Sequence, residues 1–368
     1  MNLPRSRSPR NRFFPIRRWA CVLAAAFTLG ASDVQQPALA NYAERPEVQT
    51  FMASLVQQYG FEPEALRSLM GRAVFLGEVS RLVAPSPVPI QRSWRVYRSR
   101  FVEPIRIKAG VAFWKEHEAA LVRAEKEYGV PAEILVGIIG VETLYGRQMG
   151  RFPILDALAT LAFDYPESPN KIGRSELFRR ELEAFLLWCR DTHQDATTFT
   201  GSYAAAIGIP QFLPSSIRAH AVDFDGDGRI DLRGSADDAI GSVARYLRDY
   251  GWQSGRPTFW HPVRTPKALK ALAERADGSP DLKWSMDELL RAGILPAHLK
   301  TAKQQRTFRT AEKGTPVVLV DLPSPGRPTD YVLGLANFYV ITRYNRSFFY
   351  AMAVADLGQA VKTALKRK

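Results

Sequence analysis

Cysteine is almost absent from this 368-residue chain, which has only Cys21 and Cys189. Cys21 lies in an N-terminal stretch that reads as a removable leader, so the mature chain has no internal disulfide to lean on. Cys189 falls on the apolar face formed by Phe178, Leu182, Phe185 and Leu186. A thiol so placed belongs to a core, and thiol catalysis is set aside. Histidine is nearly as scarce, with five residues and no pair at ligand spacing, which argues against a histidine-built metal centre. No segment after the leader is apolar for long enough to span a bilayer. There is no internal repeat, no low-complexity tract beyond the N-terminus and no nucleic-acid recognition motif.

In other respects the composition is ordinary for a folded protein. The apolar fraction is 46% and the charged fraction 24%, which argues against extensive disorder. The net charge is +13. The first forty residues carry +5 of it, leaving +8 on the rest. A basic surface of that size suits an anionic polymer, and the scattered charges favour the bacterial wall over nucleic acid.

The first forty residues have the three parts of an export signal. An Arg-rich stretch ends at Arg17-Arg18, an apolar core runs from Trp19 to about Ala31, and Ala38-Leu-Ala40 fits a small-x-small cleavage site. Cleavage after Ala40 would start the mature chain at Asn41, in the periplasm. Cys21 lies at the start of the apolar core rather than after it, so a lipid anchor is not expected.

Helical patterning dominates the chain beyond the leader. Short amphipathic segments cover Pro46 to Val83, with breaks expected at Gly60 and Gly71, and Pro85, Pro87 and Pro89 impose an extended crossing. Helix resumes from Phe101 to Tyr128. Two more helices are predicted over Leu155 to Phe163 and over Ser175 to Arg190, the second with Ser175 as N-cap. Past Trp252 the composition turns toward Pro, Thr and β-type runs. Val317 to Val320 and Phe338 to Thr342 are the strand candidates there, with short helices at Leu269 to Ala276 and Met286 to Ala292. Phe348 to Lys366 closes the chain as a helix.

One carboxylate stands out. Glu142 lies within Ala132-Glu-Ile-Leu-Val-Gly-Ile-Ile-Gly-Val-Glu-Thr-Leu-Tyr-Gly146, a helix pattern opened by Pro131 and closed by Gly146. Leu135, Ile138 and Ile139 precede it on the same face. Desolvation among aliphatic side chains raises a carboxyl pKa, which keeps an acid protonated near neutral pH. The pattern alone also fits a Glu paired with one of the many arginines.

Asp223-Phe-Asp-Gly-Asp-Gly-Arg-Ile-Asp231 is the second signal. Carboxylates at loop positions 1, 3, 5 and 9, with the Arg229 carbonyl at 7, match the spacing that wraps oxygens around Ca²⁺. Position 12 is Gly234 where a bidentate Glu is usual. Asp237 or Asp238 must then close the site, and the expected ligands are Asp223, Asp225, Asp227, the Arg229 carbonyl, Asp231 and Asp238. The cation's role is structural. A solvated Asx/Gly turn is the alternative.

Together these segments resemble the lytic murein transglycosylase B family, of the soluble lytic transglycosylase B type. The matching stretches are Gly140-Val-Glu-Thr-Leu-Tyr-Gly-Arg147, Leu155-Asp-Ala-Leu-Ala-Thr-Leu161, Gly201-Ser-Tyr203, Gln211-Phe-Leu-Pro-Ser-Ser216, Ala221-Val-Asp-Phe-Asp-Gly-Asp-Gly228, Asp238-Ala-Ile-Gly-Ser-Val243 and Tyr344-Asn-Arg-Ser347 with Tyr350-Ala-Met-Ala353. They follow the family's order from about residue 45 to 362.

The resemblance implies a mainly α (α+β) protein. Its parts would be an N-terminal helical domain over 41–110 completed by about 345–368, a lysozyme-like catalytic core over 111–252 with an EF-hand-like loop at 223–238, and a small β-containing domain over 253–344. It implies cleavage of the MurNAc–GlcNAc β-1,4 bond of peptidoglycan glycan strands with formation of 1,6-anhydromuramyl ends. No cofactor takes part in the chemistry. Glu142 takes the place of the catalytic acid/base, and Tyr97, Ser202, Gln211, Tyr246, Tyr344, Asn345 and Tyr350 fall on cleft positions. A monomer is implied, with no more than weak association with other wall enzymes. Departures are Tyr165-Pro-Glu-Ser168, where the family often has two basic residues, and Ala204-Ala-Ala-Ile-Gly208. Arg174, Arg179 or Arg180 are the candidates to stand in for the missing pair. Two rival readings share these features: a muramidase using water on the same bond, and a non-catalytic Ca²⁺-stabilised wall-binding protein.

Overall fold

The computed structural model describes residues 41–86 and 91–367. The expected leader, its cleavage site and the Pro87–Pro89 part of the extended crossing lie outside them. A one-turn 3₁₀ helix at Tyr42–Glu44 leads into α1 (Pro46–Tyr59), α2 (Pro63–Arg72) and α3 (Gly77–Val83). Pro46 and Pro63 open their helices at positions whose N–H would go unbonded in any case. Gly60, at φ 67°, ends α1 in the left-handed conformation that L side chains resist. Gly71 is no break: α2 runs through it, and the chain turns only at Ala73.

Phe101 ends a helix of its own, α4 (Trp94–Phe101), and the stretch expected as helix after it is divided into two, α5 (Pro104–Glu116) and α6 (Glu118–Tyr128). Next come α7 (Ala132–Thr143), β1 (Phe152–Pro153), α8 (Ile154–Phe163), α9 (Lys171–Asp191), β2 (Thr200–Gly201), α10 (Pro214–His220) and α11 (Ala236–Asp249). Ser175 lies inside α9 rather than capping it, since the helix begins a turn earlier after Asn170.

The remaining elements are β3 (Phe259–Trp260), α12 (Pro266–Arg275), β4 (Trp284–Ser285), α13 (Met286–Arg291), α14 (Ala302–Ala311), β5 (Pro316–Leu322), β6 (Asp330–Gly334), α15 (Ala336–Tyr344) and α16 (Phe348–Lys366). The sheet order is β3-β6-β5-β4, all antiparallel. Side chains alternate across β5. Val318, Val320 and Leu322 enter the large core, while Val317 and Leu319 join a smaller one with Leu272, Met286, Leu289 and Ile294.

Phe338 to Thr342 is helix, not strand. Its β-branched composition favours a strand, but Phe338, Ile341 and Thr342 recur at helical spacing on a buried face. The buried Asn337 side chain fixes the helix start, accepting from Gln253 N at 2.7 Å and donating to the Gln253 and Arg256 carbonyls. Tertiary packing overrides local propensity here.

The large core runs from Tyr42 to Val361 and holds α7 and α16 at its centre. These two helices meet backbone to backbone. A Cβ on Gly137 would collide with the Val354 carbonyl, and one on Gly358 with the Glu133 carbonyl. That approach brings the end of α7 against the start of α16.

Candidate active site

Glu142 lies in the last turn of α7 and Tyr350 in the first turn of α16. The Tyr350 hydroxyl donates to Glu142 Oε1 at 2.5 Å. The neighbours Val141 and Thr143 are buried, while Glu142 keeps partial exposure. Burial of its carboxyl pushes the pKa up to about 7, and the Tyr350 hydrogen bond opposes that rise. Among the described residues, burial and the Tyr350 hydrogen bond are the influences on its ionisation. Near neutral pH the group is therefore divided between an acid that can give a proton and a base that can take one.

The turn after α7 is bound tightly. Leu144 and Tyr145 are both left-handed, at φ 50° and 58°. Thr143 Oγ1 accepts from Gly146 N at 2.9 Å and donates to the Ile209 carbonyl at 2.8 Å. The buried Arg106 guanidinium donates to the Gly140 carbonyl. These contacts fix the helix end from which Glu142 projects. Thr143 belongs to a motif legible in the sequence, but its partner lies 66 residues away.

Most of the other expected site residues converge on this pair. Tyr344 stacks nearly parallel to Tyr350, ring centroids 6.3 Å apart, and its hydroxyl donates to the Pro210 carbonyl. Asn345 follows it. Gln211, next to Pro210, is left-handed at φ 52° and donates to the Gly208 and Met149 carbonyls at 2.9 and 3.2 Å. Tyr246 meets Tyr344 edge-on at 4.9 Å and donates to the Arg343 carbonyl at 2.9 Å. Burial raises the pKa values of Tyr246, Tyr344 and Tyr350 well above the usual phenol range, so these hydroxyls stay protonated donors.

Tyr97 reaches the site through one further ring. It packs on Phe349, centroids 5.5 Å apart, and Phe349 precedes Tyr350 in the chain. Ser202 accepts from Ala206 N at 3.0 Å and so shapes the 202–206 turn. Of the basic stand-ins, Arg179 is engaged with the Ala162 carbonyl and lies over the Phe163 ring. Cys189 is buried, its thiol pushed up to about 12 by burial.

The acidic loop is built on its own carboxylates. Asp223 accepts from Gly226 N and Gly228 N at 2.7 and 2.8 Å, and Asp227 from Arg229 N at 2.8 Å. The Ser235 hydroxyl and the Asp227 N–H donate to Asp225 and hold it below the usual carboxylate range. Asp223, Asp225 and Asp227 each bring an oxygen within 4.8 Å of the others, an all-oxygen donor set of the kind Ca²⁺ takes. A hollow beside them is lined by His117, Asp225, Asp227, Asp231, Ser235 and Asp237. Asp238 does something else. It is buried, and its two oxygens accept from Phe224, Asp225 and Asp231 N–H groups at 2.6, 3.3 and 2.7 Å, latching the loop onto α11. Asp237, not Asp238, lines the hollow, with Oδ1 2.9 Å from His117 Nδ1.

A partly buried carboxyl bonded to a tyrosine in a helical core is an arrangement suited to cleaving sugar bonds, as in enzymes of lysozyme-like type. Comparison with known proteins narrows the class. Residues 43–359 match the family model described as the transglycosylase SLT domain. The chain is 42% identical over 335 residues to the membrane-bound lytic murein transglycosylase B of Escherichia coli (strain K12), over 88% of this chain and 85% of that protein. The soluble lytic transglycosylase SltB1 from Pseudomonas aeruginosa matches with a TM-score of 0.76 at 39% identity, over 87% of this chain and 99% of that one. The Escherichia coli lytic transglycosylase Slt35 in complex with calcium matches with a TM-score of 0.75 at 40% identity, over 89% and 96%. The chain belongs to the transglycosylase SLT family. Its activity is that of a lytic murein transglycosylase, an enzyme that cleaves peptidoglycan.

Proposed function

We propose that this enzyme cleaves the MurNAc–GlcNAc β-1,4 bond with Glu142 as its single acid/base, leaving 1,6-anhydromuramyl ends. Glu142, protonated, donates to the glycosidic oxygen as the bond to C1 breaks. The carboxylate then accepts the proton of the C6 hydroxyl of the same muramyl residue as that oxygen bonds to C1. The ring holds this internal nucleophile close, so no activated water is needed. Enzymes that use water or a covalent intermediate need a second carboxylate. The observation that carries the reading is the Glu142 carboxyl itself, raised to about 7 by burial and bonded to the Tyr350 hydroxyl at the junction of α7 and α16.

The remaining cleft residues bind the glycan in this reading. Tyr97, Tyr246, Tyr344 and Tyr350 offer faces and hydroxyls, while Gln211 and Asn345 offer amides to N-acetyl and ring oxygens. Ser202 offers its hydroxyl to the glycan and also steadies its own turn. The chemistry is assigned to the 111–252 portion, completed by Tyr344, Asn345 and Tyr350 from the chain's end. The loop holds Ca²⁺ through Asp223, Asp225, Asp227, Asp231 and the Arg229 carbonyl, with Asp237 as the closing carboxylate. The ion supplies loop rigidity and takes no part in the reaction.

The enzyme works as a periplasmic monomer freed of its leader. Among the described residues no helix is long and apolar enough to cross a membrane. Mass spectrometry of digested sacculi tests the reaction. Anhydromuramyl ends are expected, whereas reducing ends would mean hydrolysis and an undigested wall a binding protein.

A further inference from the structure

The positive charge that follows the leader is concentrated in one part of the chain. Residues 253–344 hold 14 Lys and Arg against eight Asp and Glu, so they carry +6 of the +8. Within them, Lys300 to Lys313 contains five cations and a single acid, Glu312. Glu312 is buried and paired with Arg256, Nη2 to Oε2 at 2.5 Å. Asp287 of α13 meets the end of the stretch, accepting from Gly314 N at 2.7 Å.

The fold gathers these cations on one face. Lys303, Arg306 and Arg309 recur every third residue of α14 and so share one side of the helix. Lys300 precedes the helix and Lys313 stands in the turn after it, and all five are exposed. Phe308 marks the opposite side. It is buried, with its ring centroid 4.9 Å from that of Trp260, and belongs to the smaller core. Because β5 divides its side chains between the two cores, this row lies on the far side of the sheet from the core that holds α7 and Glu142.

The chemistry of the face selects its partner. Beside the cations, α14 exposes Ala302, Gln304, Thr307, Thr310 and Ala311, and no large apolar side chain. The centre of a specific protein interface is rich in aromatic residues and poor in Lys. A row of cations without an apolar centre suits instead a diffuse layer of negative headgroups, each cation being drawn to the layer on its own.

We propose that the outer face of α14, from Lys300 to Lys313, is a membrane-contact surface that holds the enzyme reversibly on anionic phospholipid by charge. It takes from the preceding reading only that the enzyme works in the periplasm, beside a membrane, and nothing from the chemistry at Glu142. A solvated face with no partner is the competing account.

Co-sedimentation of the leader-free enzyme with vesicles separates the two. The enzyme should bind vesicles of phosphatidylethanolamine containing phosphatidylglycerol, should ignore vesicles of phosphatidylcholine alone, and should be released by high salt. A cation close to an anionic bilayer contributes about fivefold in binding. Lys303→Gln, Arg306→Gln, Arg309→Gln and Lys313→Gln combined should therefore weaken binding by at least about a hundredfold. Arg67→Gln, Lys108→Gln, Lys115→Gln and Lys126→Gln combined remove the same charge from exposed positions of α2, α5 and α6, and should weaken it less than about fivefold. If the first variant folds poorly, Arg306→Gln with Arg309→Gln decides, at an expected cost of about 25-fold. Equal losses in the two fourfold variants would assign any binding to net charge and overturn the proposal. So would equal binding to both kinds of vesicle, or no binding of wild type to the anionic vesicles at low salt. Cleavage of soluble glycan strands, measured on the same preparations, should be unchanged in the α14 variant, so loss of membrane contact is read separately from the transglycosylase reading.

Discussion

The hydroxyl of Tyr350 donates to the carboxyl of Glu142 at 2.5 Å, across the junction of two helices, the two residues lying 208 apart in sequence. The bond orients the acid and partly offsets the rise in pKa that burial causes. Removing it has two separable effects. Tyr350→Phe should lower kcat by roughly 10- to 100-fold, because the carboxyl loses its fixed orientation. It should also move the alkaline limb of the pH–rate profile upward, since the group lowering the Glu142 pKa is gone. A limb that stays in place or moves down would mean Tyr350 does not tune this acid.

The raised pKa fixes the sign of a stability effect. The folded state binds the Glu142 proton up to about pH 7, while the unfolded chain releases it near its ordinary value of 4.5. Stability from this group is therefore full below pH 4.5 and is lost as pH rises to about 7. Glu142→Gln, which cannot ionise, should melt higher than wild type at about pH 8, by up to about 3 kcal/mol at roughly 1.36 kcal/mol per pKa unit. The difference should shrink toward about pH 5. Thermal melts at the two pH values check it, and a variant less stable than wild type at the higher pH would contradict the desolvation account.

Gly137 allows the helix contact that brings Glu142 and Tyr350 together, because any Cβ there meets the Val354 carbonyl. Gly137→Ala should cost about 2–3 kcal/mol through overpacking against backbone. Activity should fall further than the folded fraction does. A variant with native melting and native turnover would show that the helices have slack.

Calcium should raise the melting temperature and EDTA should lower it, with kcat at saturating substrate little changed. A cation at roughly a hundredfold excess over its Kd contributes about 2.7 kcal/mol when it binds only the folded state. Asp225→Ala and Asp237→Asn should each blunt the response to Ca²⁺. Asp238→Asn should destabilise the protein with or without the ion, since its carboxylate latches the loop backbone. Melting indifferent to both Ca²⁺ and EDTA would leave the loop a plain turn.

Periodicity made much of this structure legible. The helix around Glu142 and the closing helix at Phe348–Lys366 agree with their apolar spacing, and the 223–231 loop with its Asp and Gly register. The errors have a common cause. Phe338 to Thr342 carries strand-like residues, and only burial against the large core makes it helix. The Asp237 and Asp238 pair could not be divided by spacing, because both lie in the first turn of α11 and only packing sends one carboxylate to the loop backbone. The Thr143–Ile209 and Tyr350–Glu142 contacts join distant segments. Family motifs single out Glu142, Thr143 and Tyr350, but the bonds they make are properties of the fold.

The most direct test of the single-acid mechanism is the release of anhydromuropeptides from purified sacculi by Glu142→Gln, followed by mass spectrometry beside wild type. Gln keeps the size and hydrogen-bonding capacity of the side chain but has no proton to transfer. Turnover should disappear while the variant stays folded and still binds sacculi. Retention of even about a tenth of wild-type anhydro product would contradict the account, since a lost general acid costs on the order of 10²–10⁴ in rate.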